Sequence, residues 1–359
     1  MVGIYKTRNS KAMKKQFGGK ITKSVKRQLE QSPNWGKKSF ENLEFTKMDI
    51  NFGNMPKLFY ENFFKTKGRA PKKPIAVEAF DKSSFLAPYD KAKFIWYGHS
   101  VVLMNIQGTI ILIDPMLGPD ASPIAPFKTK RFSENTLGLI DDFPDIDILL
   151  LTHDHYDHLD LASIKKLKGK VDRFWVALGS KRHFVKWGVQ AEKVKEFDWW
   201  DKSELNGIEI TFTPTRHFAG RGVLDRNKTL WGGWAIKSSE ENIYFSGDGG
   251  YGNHFKMIGE KLGPFDFGFM ECGQYHELWR QIHMFPDEAV KASQDVKAKQ
   301  IMPVHWAGFA LALHHWKTPV EDFLTHAEQK SVDHIVPKIG EVFSANQNID
   351  IEHWWRKYE

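Results

Sequence analysis

The sequence is poor in cysteine, since Cys272 is the only one among 359 residues. A single cysteine excludes an internal disulfide and a thiolate cluster, which leaves histidine and carboxylate side chains for tight metal binding. Long apolar runs are also absent: none approaches the roughly 18 residues that a membrane-spanning helix needs. The N-terminus is basic and has no apolar segment typical of a signal peptide, so we expect a cytoplasmic protein.

Positive charge is concentrated at the N-terminus. Residues 1–40 contain eleven lysines and arginines and one acidic residue, Glu30, which gives this basic arm a local charge of +10. Since the whole chain carries +7, the remaining 319 residues sum to −3. The arm suggests contact with polyanions, either phospholipid headgroups at the inner membrane surface or nucleic acid. A solvated arm without a partner fits the composition equally well.

The sequence pattern divides the chain near residue 90. Residues 1–90 form an extension without repeats, and residues 91–359 alternate strand and helix patterns. The extension includes an aromatic stretch whose i, i+1, i+4, i+5 spacing is typical of one apolar helix face: Leu58, Phe59, Tyr60, Phe63 and Phe64. We expect this face to pack on the body, with membrane contact as the alternative.

Residues 91–359 predict a layered α/β domain. Short runs rich in β-branched and aromatic residues predict strands, and the apolar run 146–151 indicates a strand buried on both faces. Helical patterns lie between the strands, in two similar halves. The predicted strands are 94–97, 101–106, 109–114, 146–151, 208–213, 233–237, 243–246, 265–270 and 300–304, and the predicted helices are 161–167, 180–187, 286–297 and one that begins at Thr318.

Four potential metal ligands lie within six residues, directly after the buried strand 146–151. They are His153, His155, Asp157 and His158. Residues two apart in an extended segment point the same way, so the first two histidines can meet one ion. The turn that follows can direct Asp157 and His158 towards a second ion. A polar loop of solvated histidines is a poor alternative for such a cluster.

Three later residues fit the same site, each at the end of a predicted strand: His217, Asp248 and His305. Taken singly, each is weak evidence, because a strand-end histidine is more often a packed or solvated residue than a ligand. Together with the first four they form the set that two four-coordinate or five-coordinate ions need.

These ordered motifs resemble those of the metallo-β-lactamase superfamily. The resemblance implies a four-layer αββα sandwich with a binuclear site at one edge of its sheets. The implied ligands are His153, His155 and His217 for one metal, Asp157, His158 and His305 for the other, and Asp248 as a bridge between both. A bridging hydroxide is then the expected nucleophile, oriented by Asp157. Zinc is the favoured metal, with manganese or iron tolerated by the same ligands.

Two further residues at predicted strand ends are candidates for supporting roles. Asp114 and His99 could fix the imidazole rings of the ligands by hydrogen bonds. Ordinary turn roles fit both positions nearly as well.

The order of several further segments along the chain is also informative. These segments are 96–100 (WYGHS), 114–115 (DP), 155–160 (HYDHLD) and 305–311 (HWAGFAL). In this order they resemble N-acyl-phosphatidylethanolamine-hydrolysing phospholipase D and its bacterial relatives, over about residues 33–345. The resemblance implies phosphodiester hydrolysis of such a phospholipid. It places His283 near the metals, to contact the phosphate or protonate the leaving oxygen. The chain departs from that family in residues 271–275, where relatives differ among themselves in the substrate pocket, so Gln274 and Tyr275 are candidate pocket residues. A helix-capping or solvated His283 fits equally well.

Other functions stay open on the sequence alone. A soluble sugar-phosphate lactone or similar small ester is the second candidate substrate. Nucleic acid is the third candidate, since the basic arm would attract phosphates. It ranks last because the chain beyond the arm has no obvious basic stripe. A di-iron redox role is disfavoured because the di-iron members of the superfamily have glutamate at the position of His155. A non-catalytic binding protein is disfavoured because the set of seven candidate ligands is complete. A homodimer would be unsurprising.

Overall fold

The computed structural model describes residues 15–122, 128–222, 224–347 and 352–359. The strands are β1 (Lys93–Trp96), β2 (Val102–Ile106), β3 (Thr109–Ile113), β4 (Ile146–Leu151), β5 (Val171–Ala177), β6 (Val194–Phe197), β7 (Lys202–Leu205), β8 (Ile208–Thr213), β9 (Gly233–Lys237), β10 (Asn242–Phe245), β11 (Phe265–Glu271), β12 (Ala298–Val304), β13 (Asp333–His334) and β14 (Val342–Ser344). The α-helices are α1 (Lys23–Leu29), α2 (Met55–Phe64), α3 (Lys82–Leu86), α4 (Leu161–Leu167), α5 (Lys181–Lys186), α6 (His254–Lys261), α7 (Pro286–Asp295) and α8 (Thr318–Gln329). Short 3-10 helices lie at Thr136–Asp141, Ala191–Lys193, Glu277–Trp279 and Trp354–Tyr358. Residues 1–14 of the basic arm lie outside the described part.

The strands form two seven-stranded sheets. One has the order β14-β1-β2-β3-β4-β5-β6 and the other the order β13-β12-β11-β10-β9-β8-β7. In each sheet one half pairs antiparallel and the other half parallel. The two similar halves predicted from the sequence are therefore the two sheets.

Successive side chains of each strand point to opposite faces of the sheet, so they pack in different layers of the fold. In β1, Phe94 points into the core between the sheets, where its ring stacks on Phe267 of β11, and Ile95 points to the outer face. In β4, Ile148 faces inward and Leu149 outward, so this strand is buried on both faces, as its apolar run predicts. Helices α4 and α5 cover the first sheet, and α7 packs on β11 and β12. The four-layer αββα sandwich is confirmed.

The extension contributes to the core of the body. Leu29, Phe40 and Ile75 are buried within the cluster between the sheets, and Phe85 of α3 is buried under the outer face of the first sheet. These contacts tie residues 15–90 to the fold. The division of the chain at residue 90 stays a prediction, since packing does not show whether either part folds without the other.

The aromatic helix α2 does not pack as expected. None of its residues is buried, and Phe59, Tyr60, Phe63 and Phe64 are 57%, 57%, 45% and 75% exposed. Along the helix, the ring of Phe59 stacks on that of Phe63 and the ring of Tyr60 on that of Phe64. The expectation that this face packs on the body is therefore wrong. Contiguous exposed aromatic side chains mark a surface available for interaction.

Membrane-spanning length is not reached by any helix in the described ranges. The longest of them, α8, has 12 residues. Within these ranges no helix is both long and apolar enough to cross a bilayer.

The candidate ligands lie at one edge of the sandwich. His153, His217, Asp248 and His305 follow the carboxyl ends of β4, β8, β10 and β12. The loop after β1 joins this edge, because His99 and Trp306 form an isolated antiparallel bridge. His99, Asp114 and His305 have positive φ angles of 56°, 43° and 67°. Such left-handed backbone is uncommon for residues other than glycine and clusters at functional sites.

Candidate metal centre

A buried carboxylate holds the motif loop. Asp114 Oδ1 accepts from the backbone N–H of Thr152 at 2.8 Å, and its Oδ2 accepts from the Thr152 hydroxyl at 2.6 Å. Asp114 Oδ2 also lies 2.7 Å from Nδ1 of His158. Since Asp114 is placed as an acceptor, the hydrogen of this imidazole is on Nδ1, and Nε2 faces the site.

Three imidazole nitrogens converge on the first candidate position. His153 Nε2 lies 2.9 Å from His155 Nδ1, which lies 3.3 Å from His217 Nε2. The outward nitrogen of His217, Nδ1, donates to the carbonyl of Ile282 at 2.8 Å. Its inward nitrogen therefore carries the lone pair. Burial lowers the pKa of His153 and His217 well below the usual range and also lowers that of His155. Neutral imidazoles with inward lone pairs are the form that binds a metal.

Asp157, His158 and His305 form the second candidate position, together with His99. Asp157 Oδ2 lies 3.5 Å from His158 Nε2 and 2.9 Å from His99 Nε2. His305 has its outer nitrogen, Nδ1, 3.1 Å from the hydroxyl of Ser100. His99 thus bonds the ligand carboxylate, whereas the sequence suggested a bond to an imidazole. Its ring centroid lies 4.2 Å from that of His305, and its carbonyl accepts from the His305 backbone N–H at 2.9 Å.

Asp248 lies between the two positions. Its Oδ2 is 3.0 Å from His158 Nε2 and 3.2 Å from His305 Nε2, on one side. On the other side the same atom is 3.8 Å from His153 Nε2 and 3.9 Å from His217 Nε2. Its Oδ1 is buried without a hydrogen-bond partner. One carboxylate therefore reaches both groups of donors.

The charges around this carboxylate fit divalent cations. Burial alone would raise the pKa of Asp248, but His158 and His305 hold it well below the usual range. Burial alone would likewise lower the pKa of His158, yet Asp248, Asp157 and Asp114 raise it well above that range. Three carboxylates thus face one buried imidazole and favour positive charge there. A buried carboxylate oxygen without a hydrogen-bond partner, surrounded by imidazole nitrogens, is the donor chemistry that divalent metals use.

His283 lies beside the two groups, with its ring 4.9 Å from that of His217 and 5.2 Å from that of His305. Its Nδ1 is 2.9 Å from Oε1 of Glu271, the last residue of β11. Burial raises the pKa of the Glu271 carboxyl to about 7, although the His283 charge opposes this. Sequence reasoning did not assign a role to Glu271; the only signal was a carboxylate at the end of a strand between two ligand-bearing strands.

The side-chain amide of Gln274 bonds one neighbouring loop. Its side-chain nitrogen donates to the carbonyls of His305 and Phe309, and its oxygen accepts from the backbone N–H groups of Leu311 and Ala312. All of these partners belong to the 305–312 loop. The amide therefore holds the loop that carries His305, and a place for Gln274 in the substrate pocket stays a prediction.

Tyr275 lies in a nearby aromatic stack. Its ring is 4.5 Å from Phe285 and 4.4 Å from His314, and it is buried. Burial raises the pKa of its hydroxyl. A contact between Tyr275 and substrate stays a prediction.

Comparison with known proteins agrees with this arrangement. Residues 109–306 match the model of the beta-lactamase superfamily domain. An uncharacterized protein of Mycobacterium tuberculosis is 33% identical over 338 residues, which are 93% of this chain and 90% of that protein. The chain belongs to the metallo-β-lactamase superfamily. This membership makes it a metal-dependent hydrolase and implies divalent metal ions at the edge where the seven candidate ligands meet.

A further relative and a solved structure are also similar to this chain. An N-acyl-phosphatidylethanolamine-hydrolyzing phospholipase D of Caenorhabditis elegans is 32% identical over 268 residues, which are 70% of this chain and 75% of that enzyme. Igni18, a metallo hydrolase from Ignicoccus hospitalis, superposes with a TM-score of 0.55 at 19% identity, covering 72% of this chain and all of Igni18. The second likeness concerns the fold alone.

Proposed function

We propose that the protein is a two-metal phosphodiesterase of the phospholipase D type that hydrolyses N-acyl-phosphatidylethanolamine-like phospholipids. The observation that carries the proposal is the convergence of imidazole and carboxylate donors on Asp248. The kinship with the phospholipase D of C. elegans supports the choice of substrate.

The ligand assignment follows the two groups of donors. His153, His155 and His217 would hold one ion, Asp157, His158 and His305 the other, and Asp248 both. Zinc is the first choice for such a nitrogen-rich set, and manganese and iron are compatible with it. When bound, the ions would supply an activated water and would polarise a phosphate oxygen.

Two side chains on the open side of the site would handle the substrate. Asp157 and His283 are each 13% exposed, whereas their neighbours His158 and His305 are buried. Asp157 would orient the attacking water, whose oxygen bonds to phosphorus as the bond from phosphorus to the ethanolamine oxygen breaks. His283 would give a proton to that leaving oxygen, and the proton that the water loses restores the balance. The products are phosphatidic acid and an N-acylethanolamine.

The substrate would reach this site from an anionic membrane surface. Phe63 of α2 lines a groove of about 700 Å³ together with Lys72, Lys73, Lys128 and Lys130 among others, and the exposed ring of Phe59 stacks on Phe63. Apolar rings beside lysines suit a surface of acyl chains and anionic headgroups.

The groove also lies close to the metal centre. The guanidinium of Arg131, in its wall, lies 4.7 Å from the Phe309 ring centroid, and that ring is 5.2 Å from His99. His99 bonds Asp157. The side chains of Arg131, Phe309 and His99 therefore link the wall of the groove to Asp157, so a lipid bound at the surface would have its headgroup on this side of the metal centre.

Vesicles that contain N-acyl-phosphatidylethanolamine test the proposal. The zinc-loaded protein should release N-acylethanolamine and phosphatidic acid in equal amounts, and a chelator should stop the release until zinc is restored. His283→Gln should keep its metal but lose activity by about a hundredfold or more. Absence of release across several acyl chains would remove the lipid assignment. If the protein hydrolysed a lactone or RNA instead, the assignment of a hydrolytic site would stand and the assignment of the substrate would change.

A further inference from the structure

Glu271 is a buried carboxylate beside the metal centre that none of the assigned roles uses. It ends β11, which lies between β10 and β12, the strands that lead to Asp248 and His305. Its backbone N–H donates to the hydroxyl of Ser246 at 2.9 Å, which fixes the end of the strand. Only 1% of its side chain is exposed. Such a group is costly to bury and requires partners.

The carboxylate has two partners, on adjacent residues of one loop. Oε1 lies 2.9 Å from His283 Nδ1, and Oε2 accepts from the backbone N–H of Met284 at 2.9 Å. Within the described residues no lysine or arginine forms an ion pair with Glu271. When Glu271 is ionised, its oxygens only accept hydrogen bonds, so Nδ1 of His283 carries the hydrogen between them.

The second bond anchors the loop, and the first directs the ring. With Nδ1 turned to Glu271, the ring of His283 packs against His217 and His305. A ligand-type atom of His283 lies within 4.8 Å of those of His217 and Asp248. The imidazole is therefore presented to the space between the ligands with one orientation and one placement of its hydrogen.

We propose that Glu271 is a positioning residue, which holds His283 with its hydrogen on Nδ1 and its Nε2 directed at the reacting phosphate. This positioning role rests on the proposed function only in one respect, namely that His283 donates a proton to the leaving oxygen. A carboxylate that fixes the tautomer of a proton-transferring histidine is a recurring device in hydrolases. In the proposed reaction, the imidazolium form of His283 keeps its Nδ1 hydrogen on Glu271 and gives its Nε2 proton to the ethanolamine oxygen as the bond from phosphorus to that oxygen breaks; the proton that the attacking water loses then returns to Nε2.

Glu271→Gln separates anchoring from positioning. A glutamine oxygen can still accept from the Met284 N–H, so the loop stays anchored. Its amide nitrogen would then face Nδ1 of His283 as a donor, which favours the opposite tautomer. Glu241→Gln is a matched control, because Glu241 is also buried and accepts from a backbone N–H, that of Ala92, away from the metal centre.

The first measurement is independent of activity. Nitrogen NMR of the zinc-loaded protein with labelled histidine, assigned by the signals lost in His283→Gln, reports which ring nitrogen carries hydrogen. We expect a protonated Nδ1 in the wild type and in Glu241→Gln, and an unprotonated Nδ1 in Glu271→Gln. The same protonated Nδ1 in all three proteins would overturn the proposal, whether or not a substrate is known.

The second measurement is a double-mutant cycle on whichever phosphodiester the wild type hydrolyses. Glu271→Gln should lower kcat by about a hundredfold, with KM nearly unchanged. In the His283→Gln background it should have little further effect, because both residues act through one imidazole. Equal losses in both backgrounds would show a purely structural role and overturn the proposal. A wild type that hydrolyses no phosphodiester would refute the proposed function alone, and the NMR result would still decide the role of Glu271.

Discussion

His183 Nε2 lies 3.1 Å from Oδ2 of Asp154, the residue between the first two motif histidines. The other nitrogen of His183, Nδ1, accepts from the backbone N–H of Gly19 at 3.2 Å, so the hydrogen is on Nε2 and is donated to the carboxylate. Asp154 also accepts from Thr229 and from the backbone of Gly220. One buried imidazole therefore links the N-terminal segment to the loop that carries the metal ligands.

A second link runs parallel to the first. Arg221 donates to the carbonyls of Asp154 and Leu159 within the motif region and to the carbonyl of Gln16 in the N-terminal segment. Its guanidinium also lies 3.9 Å from the centroid of the Tyr156 ring. We expect changes in the N-terminal segment to affect the stability of the fold around the metal loop.

Gly19→Ala should therefore destabilise the protein. A β-carbon at this position would lie 2.1 Å from the carbonyl oxygen of Arg182, which belongs to backbone and cannot turn away. We expect the free energy of unfolding to fall by about 1–3 kcal/mol, as for other overpacking substitutions. Gly169→Ala is the control, because a β-carbon there meets nothing within 4 Å. Denaturant unfolding checks both variants, and equal midpoints would refute the link.

Asp114→Asn should weaken metal binding while leaving the fold intact. Asp114 fixes the imidazole of His158 through Nδ1 and the backbone of Thr152. Loss of such a supporting carboxylate typically lowers metal affinity by about 10–100-fold. Zinc competition with a chromophoric chelator measures the change. Asp172→Asn, an exposed carboxylate on β5, should bind zinc like the wild type. Unchanged affinity in Asp114→Asn would contradict the supporting role.

His254 should contribute to acid lability. Burial lowers the pKa of this imidazole in α6 to about 3, with help from the charge of Arg216. The unfolded chain, with a histidine pKa of about 6.5, takes up this proton first as the pH falls. The free energy of unfolding should therefore decline between about pH 6.5 and 3, by up to about 1.4 kcal/mol per pH unit. Denaturant unfolding at several pH values should show a shallower slope for His254→Gln, and an identical slope would contradict the assignment.

The aromatic helix α2 should bind membranes. Phe63→Ser removes a ring that lines the groove with its lysines, and Phe59→Ser removes the exposed ring that stacks on Phe63. We expect each change to lower partitioning onto anionic vesicles by about tenfold, since an aromatic side chain gains about 1.5–3 kcal/mol when it leaves water. Val185→Ser, an exposed apolar residue on α5, is the control. Vesicle sedimentation decides, and unchanged partitioning would show that the exposed rings serve another purpose.

The local part of the site could be predicted from the sequence. His153, His155, Asp157 and His158 lie next to each other in the chain, directly after a strand whose apolar run is easy to identify. The strands that lead to His217, Asp248 and His305 were also predicted to within two residues. Strands β5 and β6 were missed, because exposed charged residues such as Asp172 and Arg173 interrupt their apolar pattern.

The rest of the site depends on packing between distant segments. The sequence around Gln274 does not indicate that its amide bonds the 305–312 loop. The sequence around His99 does not indicate that its imidazole bonds Asp157. The contacts from Glu271 to His283 and from Asp154 to His183 join residues 12 and 29 positions apart. The exposed face of α2 was misjudged because an apolar helix face has the same sequence pattern whether it meets a core or a membrane.

Metal analysis of the wild type and of Asp248→Ala tests the central claim most directly. The account predicts about two divalent ions per chain for the wild type. Asp248→Ala should lose most of both, because it removes the carboxylate that both groups of donors share, while its far-UV circular dichroism stays that of the folded protein. His283→Gln should keep both ions. Two ions retained by Asp248→Ala, or one ion at most in the wild type, would contradict the shared two-metal centre.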